Sequence, residues 1–240
     1  MRLDLLLVAK NITDSRSRAK SLICEGKISV NGKIVTKPSC DVSEDASIVS
    51  SETNNFVGRG ALKLEAAFEK LGFSANGCVA IDIGASTGGF TQSLLHHGAI
   101  CVYAVDVGSG QLHPSLRSDD RVISIENYNA RYMNPDDFPQ LFDVAVCDVS
   151  FISQTLIIPR VAEVLRRGGE FVTLIKPQFE CGREALGKSG VVKNDNLRKM
   201  AIERVCECAR EHGFELLGMI DSPIEGGDGN REFVCRFALE

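Results

Sequence analysis

Between Cys78 and Ile175 five short apolar runs rich in β-formers follow one another: Cys78–Ile83, Ile100–Val105, Val122–Ile125, Phe142–Cys147 and Phe171–Ile175. Helical patterns separate several of them, including Ser153–Arg167, and another covers Asn196–His212. Strand–helix repetition of this kind means a mostly parallel sheet with helices on both faces. Two last strands, Leu216–Ile220 and Glu232–Ala238, are joined by a glycine-rich loop and suit an antiparallel pair at the edge. The expected fold is therefore α/β, Rossmann-like, with the last strand reversed.

The 240 residues exceed the ~150 of a typical domain, so one full domain with a small appendage is expected. A chain 44% hydrophobic and 25% charged buries a real core, which excludes disorder, collagen and coiled coil. No apolar run approaches the ~20 residues of a membrane span, and Asp4 interrupts the only apolar patch near the start, so neither a membrane segment nor a secretory signal is expected. Nine cysteines without a C-x-x-C pair argue against a disulfide framework and a zinc ribbon; Cys206 and Cys208 lack nearby partners, so no metal is expected. Reduced thiols in a cytoplasmic protein fit this pattern.

Charge is uneven. Residues 1–37 hold eight Lys/Arg against three Asp/Glu, whereas the whole chain carries −5. A basic head on an acidic body points to a polyanionic partner. Asp14-Ser15 reads as a helix start and Gly26 as its end, with Arg16, Arg18 and Lys20 along the helix; Ile28–Val35 then reads as a hairpin around Asn31-Gly32. The run RLDLLLVAKNITDSRSRAKSLICEGKISVNGKIVTKP resembles the S4 RNA-binding domain. That resemblance implies a small α+β module over residues 1–50 contacting RNA through Arg2, Arg16, Lys20 and Lys37. Residues 51–57 read as a linker, leaving 58–240 for the α/β domain.

Open α/β sheets bind ligands beyond the carboxyl ends of their strands. After the first strand comes Asp82-Ile83-Gly84-Ala85-Ser86-Thr87-Gly88-Gly89-Phe90, and after the second Asp106, a carboxylate suited to ribose hydroxyls. With Ser86 in place of a second glycine the turn is not a dinucleotide fingerprint, and it lacks the Gly-Lys-Ser/Thr of a phosphate-binding loop. It looks like the S-adenosylmethionine turn of class I methyltransferases. That resemblance implies Gly84, Ala85, Ser86, Thr87, Gly88, Gly89 and Phe90 as the cofactor cradle, with Asp82 serving the amino-acid portion, Asp106 the ribose and Asp148 facing the methyl donor.

Lys63 on an early helix, Asp148 after the fourth strand, Lys176 after the fifth and Glu232 at the last all stand at ends that meet in one cleft. Two lysines and two carboxylates make no sense as core packing, but make sense as a network that tunes one lysine for proton transfer. The segments FVGRGALKLEAAF, DIGASTGGFTQSLL, YAVDVG, CDVSFIS, IKPQFE, GVVKND and SPIEGGDGNREF follow one another as in the TlyA-type haemolysin family, which resembles ribosomal RNA 2′-O-methyltransferases of the FtsJ-like fold. Gly58 and Ala61 stand where that family usually has Ser and Gly, and Gly227 where Pro is common. The resemblance implies S-adenosyl-L-methionine as cofactor, ribosomal RNA or ribosomal subunits as partner, and cytidine as the expected nucleoside. It further implies Lys63, Asp148, Lys176 and Glu232 as a catalytic tetrad, with Lys176 as the base or the group that steers the hydroxyl. The alternatives are a catalytically inert RNA-binding ribosome-assembly factor and a membrane-active haemolysin.

Overall fold

The computed structural model describes residues 1–10, 12–13, 15–50, 56–182, 186, 190–226 and 229–240. Asp14, Gly227 and residues 51–55 of the expected linker lie outside them. The chain divides into two compact units, Met1–Val57 and Gly58–Glu240.

In the first unit, α1 (Leu3–Ala9) and α2 (Arg16–Cys24) precede a three-stranded antiparallel sheet of β1 (Ile28–Val30), β2 (Lys33–Ile34) and β3 (Ile48–Ser50), ordered β2-β1-β3. Ser15 caps α2, its side chain accepting from the Arg18 N–H. Asn31 and Gly32 both adopt positive φ, 50° and 80°, as a two-residue hairpin turn requires. Leu3, Leu7, Leu22, Ile23 and Ile28 close a small core.

The second unit comprises α3 (Ala61–Leu71), β4 (Val79–Ile83), α4 (Gly89–His96), β5 (Cys101–Val105), α5 (Pro114–Arg117), β6 (Val122–Ile125), β7 (Phe142–Cys147), α6 (Ile158–Val164), β8 (Leu165–Ile175), α7 (Pro177–Glu180), α8 (Asp195–Glu211), β9 (Phe214–Asp221) and β10 (Phe233–Leu239). Its strands form one sheet ordered β6-β5-β4-β7-β8-β10-β9. The first five run parallel, and β10 runs against both its neighbours. Alternation along β4 shows both faces covered. Ile81 and Ile83 pack in a core with Ile158 and Val161 of α6 and Val205 of α8, whereas Asp82 meets Thr91 of α4.

One expected element is shorter than its pattern. The helix read over Ser153–Arg167 is a 3-10 turn at Gln154–Leu156 followed by α6, which stops at Val164. Leu165 pairs with Phe142 of β7 and Arg166 lies 2.9 Å from Asp143, so the neighbouring strand draws these residues out of the helix. The last two strands do pair at an edge of the sheet, with β10 on the inside. That placement has a consequence for the site. A reversed strand begins where its parallel neighbours end, and Phe233 pairs with Ile175, so Glu232 arrives beside Lys176.

Candidate active site

The chain builds β4, β5 and β6 outward in one direction, then returns to lay β7 on the other side of β4. Ligands of open α/β sheets bind at such a switch point, beside the loops following β4 and β7. The two loops touch: the Asp148 N–H donates to Ile83 O, and a Cβ on Gly84 (φ 85°) would come within 2.9 Å of Asp148 O. Only glycine fits there.

Beyond β4 and β5 lies a cleft lined by Ala85, Ser86, Asp106, Gln111, Leu112 and Glu126, among others. Asp106 is fixed by backbone donors: Ser86 N–H to Oδ2 at 2.8 Å and Gly108 N–H to Oδ1 at 2.7 Å. Each oxygen keeps a lone pair for a further hydroxyl. Ser86 takes the left-handed conformation (φ 48°) that a glycine would otherwise supply, and its hydroxyl donates to Gln111 Oε1 at 3.3 Å.

Asp82 is wholly buried beneath the turn. Thr91 Oγ1 donates to its Oδ2 at 2.6 Å, while Oδ1 has no hydrogen-bond partner among the described residues. Burial pushes this carboxyl up to about 7; the Thr91 hydrogen bonds oppose the shift, and the charges of Asp148 and Asp106 add to it. Carboxylates gathered around a glycine turn disfavour a phosphate-bearing ligand and suit a nucleoside carrying positive charge. The residues present therefore fit S-adenosylmethionine, a cationic sulfonium with a ribose.

Beyond β7 and β8 the four expected side chains meet in one chain of contacts. Lys176 Nζ lies 2.5 Å from Asp148 Oδ1; Asp148 Oδ2 accepts from Lys63 Nζ at 3.3 Å; Lys63 Nζ donates to Glu232 Oε2 at 2.7 Å. Lys63, Lys176 and Glu232 are buried. Lys176 also donates to Ser150 Oγ at 3.0 Å. Gly226 closes over Glu232: a Cβ there would stand 2.5 Å from Oε1.

Some neighbours were not read from the sequence. Glu126 follows β6 directly, so the strand-end rule that found Asp106 reaches it too. Ser150 and Phe151 follow Asp148 in the same loop. Phe151 is 92% exposed with φ 64°, its ring 5.1 Å from that of Phe179, which lies 6.0 Å from Lys176 Nζ. An exposed phenylalanine in a left-handed backbone has no signal in hydrophobic periodicity. Gly58, noted as a departure, has its Cβ direction filled by Thr87 Oγ1 at 2.6 Å. Among the described residues no cluster of His, Cys, Asp or Glu is placed to hold a metal, no helix is long and apolar enough to cross a membrane, and all nine cysteines are free.

In the first unit the structure brings Arg2 and Arg16 together on Asp4. Lys20, one turn beyond Arg16, and Lys37 are exposed.

A doubly covered α/β sheet with a charged nucleoside cleft and an adjoining Lys–Asp–Lys–Glu chain has the architecture of a class I methyltransferase. The FtsJ-like methyltransferase family matches residues 56–238 and the S4 domain residues 1–48, and the chain belongs to the FtsJ-like methyltransferase family with an S4 domain at its N-terminus. It is 41% identical to Hemolysin A of Brachyspira hyodysenteriae, covering 100% of both chains. It is 39% identical to the 16S/23S rRNA (cytidine-2′-O)-methyltransferase TlyA of Mycobacterium tuberculosis, covering 97% of this chain and 87% of the relative. A solved Streptococcus thermophilus protein, provisionally named a hemolysin, superposes with a TM-score of 0.78 at 42% identity, over 100% of this chain and 88% of that one.

Proposed function

We propose that the chain transfers a methyl group from S-adenosylmethionine to the 2′-hydroxyl of a cytidine ribose in ribosomal RNA, with residues 1–50 binding the RNA, 51–57 linking, and 58–240 carrying the chemistry. The observation that carries this reading is the buried contact chain Lys176–Asp148–Lys63–Glu232, set beside a cleft built for a cationic nucleoside. Family membership and the ribosomal RNA methyltransferase named among the relatives support the same substrate class.

When bound, the cofactor supplies a methyl on a sulfonium that leaves readily, so the protein's share is alignment and removal of one proton. Asp106 holds the cofactor ribose and the turn from Gly84 to Phe90 holds the rest, while Asp82, buried beneath that turn, supports it through Thr91. Lys63 is committed to two carboxylates, whereas Lys176 has one carboxylate and a serine hydroxyl. Lys176 is thus the lysine able to reach the acceptor 2′-hydroxyl and take its proton, while Asp148 aims both lysines and Glu232 anchors Lys63. The exposed face of Phe151 suits a flat nucleobase beside Lys176.

Incubation with S-adenosylmethionine and ribosomal RNA, followed by mass-spectrometric mapping, tests the assignment. A 2′-O-methylcytidine that vanishes with Lys63→Ala, Asp148→Ala, Lys176→Ala or Glu232→Ala supports it. Methylation on a base, or on a different nucleoside, overturns the acceptor assignment. Calorimetry that shows RNA binding but no S-adenosylmethionine binding would instead favour an inert assembly factor.

A further inference from the structure

Asp4 is fully buried in the first turn of α1, a costly place for a carboxylate unless it is paired. Two arginines converge on it, Arg2 from two residues before and Arg16 from the next helix. Arg2 Nε and Nη2 donate to Oδ1 and Oδ2, both at 3.0 Å, and Arg16 Nε donates to Oδ2 at 2.9 Å. The Arg2 and Arg16 guanidiniums hold the Asp4 carboxyl far below the usual carboxylate range, against its burial. Asp41 adds its negative charge near Arg2.

The outward side of this arrangement differs from an ordinary core ion pair. The Arg2 and Arg16 side chains remain 41% and 49% exposed while Asp4 is hidden beneath them. Arg2 Nη1 and both Nη atoms of Arg16 have no hydrogen-bond partner among the described residues. Two planar cations are thus fastened by their inner edges with outer N–H groups free, the donor pattern that grips phosphate oxygens in pairs. Fastening two long side chains in advance removes the ordering cost that binding would otherwise carry.

We propose that Asp4 is a positioning residue that locks Arg2 and Arg16 side by side as a two-armed clamp for an RNA phosphodiester. This rests on the reading of residues 1–50 as RNA-binding. The proposal opposes plain electrostatics in sign. Removing a carboxylate near a phosphate site should strengthen RNA binding if charge alone matters; the clamp requires that it weaken.

The test uses the full chain with purified ribosomal RNA as probe, titrated over a range of salt. Asp4→Asn is expected to lower affinity by roughly tenfold, the loss of about one charge-assisted contact, and to flatten the salt dependence by about one phosphate. In an Arg2→Ala/Arg16→Ala background Asp4→Asn is expected to change nothing further. Unchanged or tighter binding by Asp4→Asn, with the double-alanine protein weakened, overturns the clamp but leaves RNA binding by this unit standing. Full affinity in the double-alanine protein defeats the RNA-binding reading of these arginines itself. An equal additional loss in that background assigns Asp4 to the fold and overturns the clamp. Should Asp4→Asn fail to fold, Arg2→Lys and Arg16→Lys decide, because lysine keeps the charge but cannot fork between carboxylate and phosphate: several-fold weakening supports the clamp, and parental affinity overturns it.

Discussion

Lys176 and Lys63 share one carboxylate without sharing an oxygen: Lys176 lies 2.5 Å from Oδ1 of Asp148, and Lys63 donates to Oδ2 from 3.3 Å. Lys63 is held a second time, by Glu232. The second partner of Lys176 is instead the neutral Ser150 hydroxyl, and in the proposed reading this weaker tether is what lets Lys176, rather than Lys63, meet the substrate. Lys176→Arg keeps the positive charge but cannot give up a proton near neutrality. It is expected to lower the single-turnover methyl-transfer rate by about 10²–10⁴, the span of general-base loss, with S-adenosylmethionine affinity nearly unchanged. Retention of more than about a tenth of the rate removes Lys176 as the base.

Asp106 has both oxygens occupied by backbone N–H groups of the two loops that wall the cofactor cleft. Asp106→Ala takes away the expected ribose acceptor and leaves those two donors without their partner. S-adenosylmethionine binding is expected to weaken by about 1.5–3 kcal/mol in calorimetric titration, the usual size for a hydrogen bond to a charged group. Unchanged affinity excludes Asp106 from the cofactor site.

Much of this site was legible before any coordinates because it sits at strand ends, and strand ends are what apolar runs delimit. Asp106, Asp148 and Lys176 each follow such a run, and Asp82 lies one residue before the end of another. Glu232 was readable as the start of the last strand, but its meeting with Lys63 depends on strand order and register, which no local pattern encodes. Leu165 shows the opposite failure: it continues a helical apolar spacing, yet its pairing with Phe142 outweighs that local preference. Asp4 looked like one acid in a basic head, and only folding reveals it beneath two arginines.

Asp82 gives the chain a pH signature. Its carboxyl ordinarily titrates near 3.8 and burial raises it to about 7 in the folded state. Between those values the folded state holds a proton that the unfolded chain has released, so this residue's contribution to stability is full at low pH and is lost as pH rises through 7. Asp82→Asn, which cannot ionise, is expected to escape that loss. Its stability relative to the parent should rise from pH 4 to 7 and then level off, by on the order of 4 kcal/mol at most. Denaturant melts of the cofactor-free protein at several pH values check this. A difference that stays flat with pH refutes the raised carboxyl.

Gly226 offers the sharpest test of geometry, because it alters the tetrad without altering any member of it. A methyl group there would lie 2.5 Å from Glu232 Oε1, inside contact distance, so the carboxylate has to move. Glu232 is buried and its other oxygen holds Lys63 at 2.7 Å, so displacement passes to Lys63 and from there to Asp148. Misplacement by about 1 Å in an aligned site costs on the order of 10²-fold in rate, and Gly226→Ala is expected to lose that much methyl transfer. Affinity for S-adenosylmethionine should hold, since the cofactor cleft is lined by the loops after β4, β5 and β6 rather than by this segment. Single-turnover rates and calorimetry on the same preparation separate the two quantities. A Gly226→Ala protein with the parental rate means that Glu232 does not need its observed position, and the four-residue chain then loses its claim as the catalytic unit.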